Sequence, residues 1–345
     1  MDHFYTAVET RERPELKGKP VVVGADPKGG EGRGVVSTSN YEARKVGIRS
    51  GMPISRAFKL CPEAIYLQPN FSLYIQTSNR IMDIVRKYAD KFQQWGIDEA
   101  FLDVSSRVKN YEEAEALARQ IKQEIHEKER LTCSIGVGPN KLVAKIASDF
   151  QKPDGLIVVK DEEVEKFLHP LPVRKLLWVG GKTEEKLKAK GVNTIGELAN
   201  YDLTALTRAF GVAGTHMYLS ARGIDRSEVE ERAEVKSISH ETTFEEDTGN
   251  IQIILQALED MAEDVSKETV RQKLLFKTVT IKIRYENFET HTRSKTLQFL
   301  TNRSLDLKKN ARGLMIPYLV ADRKIRLIGV RVSTLVSAEN QQTLT

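Results

Sequence analysis

The stretch Trp95-Gly96-Ile97-Asp98-Glu99-Ala100-Phe101-Leu102-Asp103 sets two carboxylates side by side where two short apolar runs meet, Gln93–Ile97 and Phe101–Val104. Runs of that length predict strands, and the polar break between them predicts a hairpin crowned by Asp98 and Glu99. Adjacent carboxylates repel one another and resist desolvation unless something positive lies between them. Hard cations such as Mg²⁺ take one or two carboxylates from a protein and the rest of their shell from water and phosphate. The pair points to metal-assisted phosphoryl chemistry, against the plainer reading of a solvated Asp-Glu turn.

Outward from this hairpin, strand-like runs at Val21–Val23, Cys133–Val137 and Leu156–Val159 alternate with helical patterns. The helices are expected over Asn40–Val46, Ile54–Leu60, Tyr74–Tyr88, Tyr111–Lys128 and Lys141–Asp149. Such alternation indicates an α/β layer with a sheet covered on one face. Leu168–Ile224 changes to short helices with tight glycine turns. Lys186–Leu198 reads there as helix, turn and Thr194-capped helix, a helix-hairpin-helix pattern whose turn would offer backbone N–H groups to a DNA phosphate. Gly181-Lys182-Thr183 imitates the end of a P-loop, but Leu176 stands where the first glycine is required, so that reading fails.

Asp225–Lys236 is polar, charge-rich and nearly free of large apolar residues, as suits a linker. Beyond it, Ile251–Val265 reads as an amphipathic helix, and Thr278–Tyr285 alternates strictly between Val279, Ile281 and Ile283 on one face and Thr280, Lys282 and Arg284 on the other. Arg293–Phe299 and Ile325–Val332 read as partner strands, with a helix at Ser304–Leu314 between them. This C-terminal part is expected to be an α+β module with basic side chains on its open sheet face.

A chain of 345 residues is too long for one ordinary core and predicts two to four domains. The net charge of +5 says little, but its distribution says more. Arg271–Arg331 carries fifteen Lys or Arg against four acids, while Glu241–Asp264 carries eight acids and no Lys or Arg. A basic surface beside an acidic one suggests the electrostatic footprint of a polyanion. Cys61 and Cys133 lack metal-ligand spacing and read as buried thiols of a reducing cytoplasm. No run of 18 apolar residues or signal peptide is present, so neither a membrane span nor secretion is expected.

Taken together, these motifs resemble the Y-family translesion DNA polymerases of the DinB, or DNA polymerase IV, type, over nearly the whole chain and in one order. Ile97–Asp103 resembles the palm motif with its catalytic carboxylates, and Asn40–Ile48 resembles the fingers segment that holds the incoming triphosphate. Lys145–Asp149 followed by Lys152-Pro153-Asp154-Gly155 resembles the segment whose second lysine reaches the same phosphates. The resemblance implies an α+β multidomain, right-hand-like fold. Its parts would be a palm (1–3 and 71–159), fingers (4–70), a thumb with a helix-hairpin-helix (160–226), a linker (227–236) and an α/β little finger (237–345).

It further implies template-directed, low-fidelity DNA synthesis in damage tolerance, by two-metal nucleotidyl transfer with Mg²⁺. Asp98 and Glu99 would be catalytic and bind the metals, helped by the backbone carbonyl at Met1. Tyr41, Arg44 and Lys152 would bind the triphosphate, and Tyr5 would be the steric gate that excludes a 2′-hydroxyl. Gly180, Gly181, Lys182, Lys282, Arg284 and Arg331 would bind DNA. Primer-template DNA and dNTPs are the implied partners of a monomeric, cytoplasmic enzyme, with a sliding clamp at the Gln341–Leu344 region.

The chain departs from the family pattern in three places. The family's first strand and its catalytic Asp precede the residue matching Met1 and are absent, so the chain is expected to be an impaired polymerase. Asp2 matches a second acid that is not the main metal ligand. Gly96 replaces a usual Ser, and Trp178 replaces a Gly of the thumb hairpin. The alternatives are a catalytically silent DNA-binding relative, separated by metal-dependent primer extension, and a nucleotide cyclase on a palm-like sheet, which leaves the thumb and basic module without a role.

Overall fold

The computed structural model describes residues 1–231, 234–320 and 323–338. The chain divides into two units, Met1–Arg232 and Ala233–Thr345. The clamp-type sequence Gln341–Leu344 lies outside the described residues.

The first unit opens with α1 (Phe4–Glu12), β1 (Val21–Gly24), β2 (Val36–Ser39), α2 (Tyr41–Lys45), α3 (Ile54–Leu60) and β3 (Ile65–Leu67). β1 is the central strand, antiparallel to β2 and parallel to β3. Val21, Val22 and Val23 are all fully buried, as a strand covered on both faces requires. Val22 packs with Val36, Ala43, Ile48 and Ile54, whereas Val23 belongs to a separate core with Phe4, Val8 and Tyr74. Asn40 joins strand to helix: its side-chain oxygen accepts from the Ala43 N–H at 3.0 Å and the Val21 N–H at 2.9 Å, and its amide donates to the Lys19 carbonyl at 2.7 Å.

Next come α4 (Phe71–Arg86), β4 (Lys91–Gln94), β5 (Ala100–Asp103), α5 (Tyr111–Glu129), β6 (Ile135–Val137), α6 (Lys141–Ser148) and β7 (Leu156–Val158). Asn70, Asn110 and Asn140 cap α4, α5 and α6 with their side chains. α4 buries Tyr74, Thr77, Ser78, Ile81, Met82, Ile84 and Val85, a stripe at helical spacing that faces the Phe4 core. Among the described residues the strands form two pairs, antiparallel β4–β5 and parallel β6–β7, where the pattern of alternation suggested one layer. β4 stops at Gln94, short of the expected Ile97, because Gly96 sits at φ +108° and turns the chain.

The remainder of the unit is helical: α7 (Val164–Leu168), α8 (Gly181–Lys188), α9 (Ile195–Ala199), α10 (Leu203–Phe210) and α11 (Val212–Ala221). Leu168, Val173, Leu176, Leu187, Ile195 and Leu206 form its core, which runs into α6 through Leu142 and Val143. Thr194 caps α9 in a reciprocal box with Glu197.

The second unit comprises β8 (Ser237–Thr248), α12 (Ile251–Arg271), β9 (Leu274–Tyr285), β10 (Thr290–Thr301), α13 (Ser304–Met315) and β11 (Ile325–Ser337). The antiparallel sheet runs β10-β9-β11-β8. Val279, Ile281 and Ile283 are fully buried against Ile254, Leu258 and Leu307 of the two helices, so the alternation read from β9 holds. β8 escapes sequence reading because its side chains are nearly all exposed or half-buried, leaving no apolar period. The acidic stretch that includes part of β8 does not form a surface apart from the basic one. Glu241 pairs with Lys282, Glu259 with Arg312, Glu263 with Lys308 and Asp247 with Arg326.

Candidate active site

Trp95 donates its backbone N–H to the Glu99 carbonyl at 2.8 Å, which closes the β4–β5 hairpin around Asp98. The Ser78 hydroxyl of α4 donates to the Ile97 carbonyl, and the Met1 nitrogen donates to the Asp98 carbonyl at 2.7 Å. The two carboxylates thus stand on a turn held from both sides, at the mouth of a cleft lined by Met1, Lys145, Ser148 and Lys152. Burial is the largest influence on Asp98 and pushes its pKa up; the charge of Glu99 adds to the rise, which the Met1 ammonium, Lys152 and Lys145 only partly oppose.

α6 supplies Lys145, and the segment that follows it supplies Lys152. The apolar stripe of α6, Leu142, Val143, Ile146 and Ala147, is buried, which leaves Lys145 and Asp149 one turn apart on another face. The Lys145 ammonium lies 2.7 Å from Glu99 and 2.9 Å from Asp149, and Lys152 lies 2.8 Å from the other Asp149 oxygen. A chain of alternating charge, Glu99–Lys145–Asp149–Lys152, therefore edges the cleft. In the sequence the only sign of this role for Lys145 is its i, i+4 spacing to Asp149.

α2 brings Tyr41 and Arg44 together, the guanidinium 4.8 Å from the centre of the tyrosine ring. Arg44 donates to the Ser39 carbonyl at 2.9 Å, and His3 meets the Tyr41 ring edge-on at 5.1 Å. The Tyr41 hydroxyl is buried and makes no hydrogen bond of good geometry, with Arg44 close enough to work against a rise in its pKa. Burial raises its pKa, and the charges of Asp2 and Asp149 contribute, which also places Tyr41 near the charged chain.

Asp2 is not free to act beside the pair. It is buried, its oxygens accepting from the Ser134 hydroxyl at 2.7 Å and the Asp154 N–H at 2.8 Å. Burial pushes its pKa up, but these hydrogen bonds outweigh it and the net shift is downward. Tyr5 is half-buried and feels the Asp98 charge, after burial, as a rise in its pKa. Among the described residues no group of three or more His, Cys, Asp or Glu gathers to hold a metal. Two carboxylates suit a hard cation that takes the rest of its shell from water and phosphate better than they suit a closed protein cage.

The candidate DNA-binding residues fall in separate places. Gly180 and Gly181 open α8, which has no side-chain cap, and Lys182 follows in its first turn. The turn between α8 and α9, expected to offer N–H groups, spends them internally: Lys190 and Val192 donate to Leu187, Gly191 to Lys188, and Asn193 and Thr194 to the Glu197 carboxylate. Two residues before Gly180, Trp178 is 82% exposed at φ +70°. That conformation suits glycine and costs another residue about 1–2 kcal/mol. In the second unit Lys282, Arg284 and Arg331 share the open face of the sheet. Lys282 reaches over Gly329 to Glu241 at 2.8 Å, and Arg284 donates to Thr290 at 2.9 Å.

The impB/mucB/samB family model matches residues 1–149, and the C-terminal domain model of the same family matches 235–344. A model described as the thumb domain of DNA polymerase-iota matches 175–225. DNA polymerase IV 2 of Methanosarcina mazei is 49% identical over 344 residues, covering 100% of this chain and 93% of its own length. DNA polymerase IV of Methanoculleus marisnigri is 48% identical, covering 97% and 92%. A Y-family DNA polymerase chimera superposes with a TM-score of 0.89 at 32% identity, and an insertion ternary complex of Dbh DNA polymerase with 0.70 at 31%, each covering 97% of both chains.

Proposed function

The chain belongs to the impB/mucB/samB family of Y-family DNA polymerases, and from this premise we propose a division of labour among its residues in template-directed translesion synthesis. The enzyme is a DNA-directed DNA polymerase of the DNA polymerase IV kind, acting on DNA and deoxynucleotides with a divalent metal. Residues 1–3 and 71–159 form the palm, 4–70 the fingers, 160–226 the thumb, 227–236 the linker and 237–345 the little finger.

Asp98 and Glu99 hold two Mg²⁺ ions, with the Met1 carbonyl as a further ligand. When bound, the metals lower the pKa of the primer hydroxyl and offset charge on the leaving pyrophosphate. Tyr41 donates its hydroxyl to a triphosphate oxygen, Arg44 offers a planar fork, and Lys152 a point charge. Lys145 offsets the charges of Glu99 and Asp149, and would keep Asp149 as its partner with a metal on Glu99. The ring of Tyr5 lies beneath the sugar. Gly180, Gly181, Lys182, Lys282, Arg284 and Arg331 receive DNA phosphates, and the Gln341–Leu344 region meets a sliding clamp. The enzyme works as a monomer in the cytoplasm, in keeping with two buried free thiols.

The observation that supports this reading is the chain of alternating charge from Glu99 through Lys145 and Asp149 to Lys152, beside Asp98 and with Tyr41 close to Asp149. The test is primer extension with Mg²⁺ and dNTPs. Extension that persists undiminished in Asp98→Ala would remove the pair from the chemistry.

A further inference from the structure

Trp95 and Trp178 are the two tryptophans of the chain, and they touch: their ring centres are 5.9 Å apart at 33°. They come from different parts of the first unit. Trp95 closes the hairpin that carries Asp98 and Glu99 and leans on Phe101 of β5 at 4.7 Å. Trp178 belongs to the segment that leads into α8. Its exposure excludes a core-packing role, and its left-handed backbone would be easier for glycine. A bulky residue kept in such a conformation, with its ring set on another aromatic, directs attention to the contact itself. Lys141 lies over the far end of this aromatic row, 5.7 Å from Phe101, and bonds to Gln93 and to the Glu228 carbonyl.

We propose that the Trp95–Trp178 contact is a brace between the thumb and the catalytic turn, and that Trp178 is a positioning residue for Asp98 and Glu99. The inference rests on these two carboxylates binding metal. Through the brace, the placement of the thumb sets the rotation of Trp95, and Trp95 is bonded to the backbone of Glu99. The effect should therefore appear in metal affinity more than in DNA affinity.

Two readouts test this. The first is independent of activity: two indoles in contact and tilted to one another give a coupled circular-dichroism band, which Trp178→Gly and Trp95→Phe should each abolish. Absence of that band in the unaltered protein overturns the proposal. The second is the Mg²⁺ midpoint, read from primer extension and, in the single variants, from the remaining tryptophan's emission. Trp178→Gly suits the local backbone and should fold. It should raise the midpoint roughly fivefold, the scale of one aromatic pair, and Trp178→Phe should recover most of the loss. Trp95→Phe combined with Trp178→Gly should be no worse than either alone, and primer-template affinity should change by less than about twofold. An unchanged midpoint overturns the brace. So does a loss of DNA affinity as large as the loss of rate, which would mean that Trp178 contacts DNA directly. Asp98→Ala is the separate control: a Mg²⁺ response that survives it sinks the metal assignment, whatever the tryptophans do.

Discussion

The ring of Tyr5 lies flat against that of Tyr74, centres 4.4 Å apart and planes within 13°. Tyr74 is fully buried and donates its hydroxyl to Glu9 at 2.6 Å, so the support beneath Tyr5 is itself fixed. A ring backed in this way cannot drop to make room for a larger sugar. Tyr5→Ala should raise ribonucleotide use relative to deoxynucleotide use by roughly tenfold or more. The quantity to measure is the ratio of kcat/KM for the two nucleotide types; an unchanged ratio in an active variant removes Tyr5 from sugar selection.

Asp98→Ala and Glu99→Ala should each lower the rate of primer extension by at least about 10²–10³. DNA affinity should stay nearly constant, because the phosphate contacts proposed here lie on α8 and on the second unit. Gel-shift titration beside single-turnover extension distinguishes the two quantities. Parallel losses would mean that the turn serves DNA binding.

Glu129 offers a stability test remote from the chemistry. It is buried and bridges Arg11 at 2.6 Å and Arg80 at 2.6 Å. Burial pushes its pKa up, but the two guanidinium groups prevail and the net shift is downward. A carboxylate depressed in the folded state contributes stability above its unfolded pKa and loses it as pH falls through the folded value. Glu129→Gln should cost about 2 kcal/mol near neutral pH and less in acid. Urea denaturation at pH 7 and at pH 4 measures this, and a cost that grows in acid would refute the sign.

Salt dependence tests the sheet face of the second unit. Lys282 is already neutralised by Glu241, whereas Arg331 is exposed beside Thr280 and Ser239. Arg331→Ala should flatten the logarithmic salt slope of duplex binding by about 0.9, and Lys282→Ala by much less. Glu241→Gln should strengthen binding by releasing Lys282. Equal effects of the two cation substitutions would show that the ion pair opens on DNA.

Much of this was legible in the sequence, and the failures have physical causes. Alternation announced β9 because one face of that strand is fully buried. β8 was silent because neither of its faces is. The Asp98–Glu99 turn could be read from the apolar runs on either side of it. The Lys145–Glu99 contact could not, since 46 residues separate the partners and only the packing of α6 sets them face to face. The charge contrast of the second unit was legible as composition, but its ion pairs were not, because they form between strands and between helices distant in sequence. Trp178 was visible as a departure from the resemblance; its strained backbone was not.

Asn40 remains, with its one side chain tying β1, the Lys19 carbonyl and α2 into a single piece. Tyr41 and Arg44 ride on that helix, so in their proposed role they would be in place before a nucleotide enters. Hydrogen exchange at the Ala43 amide should accordingly be slow and nearly the same with and without dNTP. In an enzyme built this way α2 is tied to the sheet and would not need to swing to meet a new base pair. The enzyme's tolerance of a distorted template would then begin in the hydrogen bonds of one asparagine, well away from the template itself.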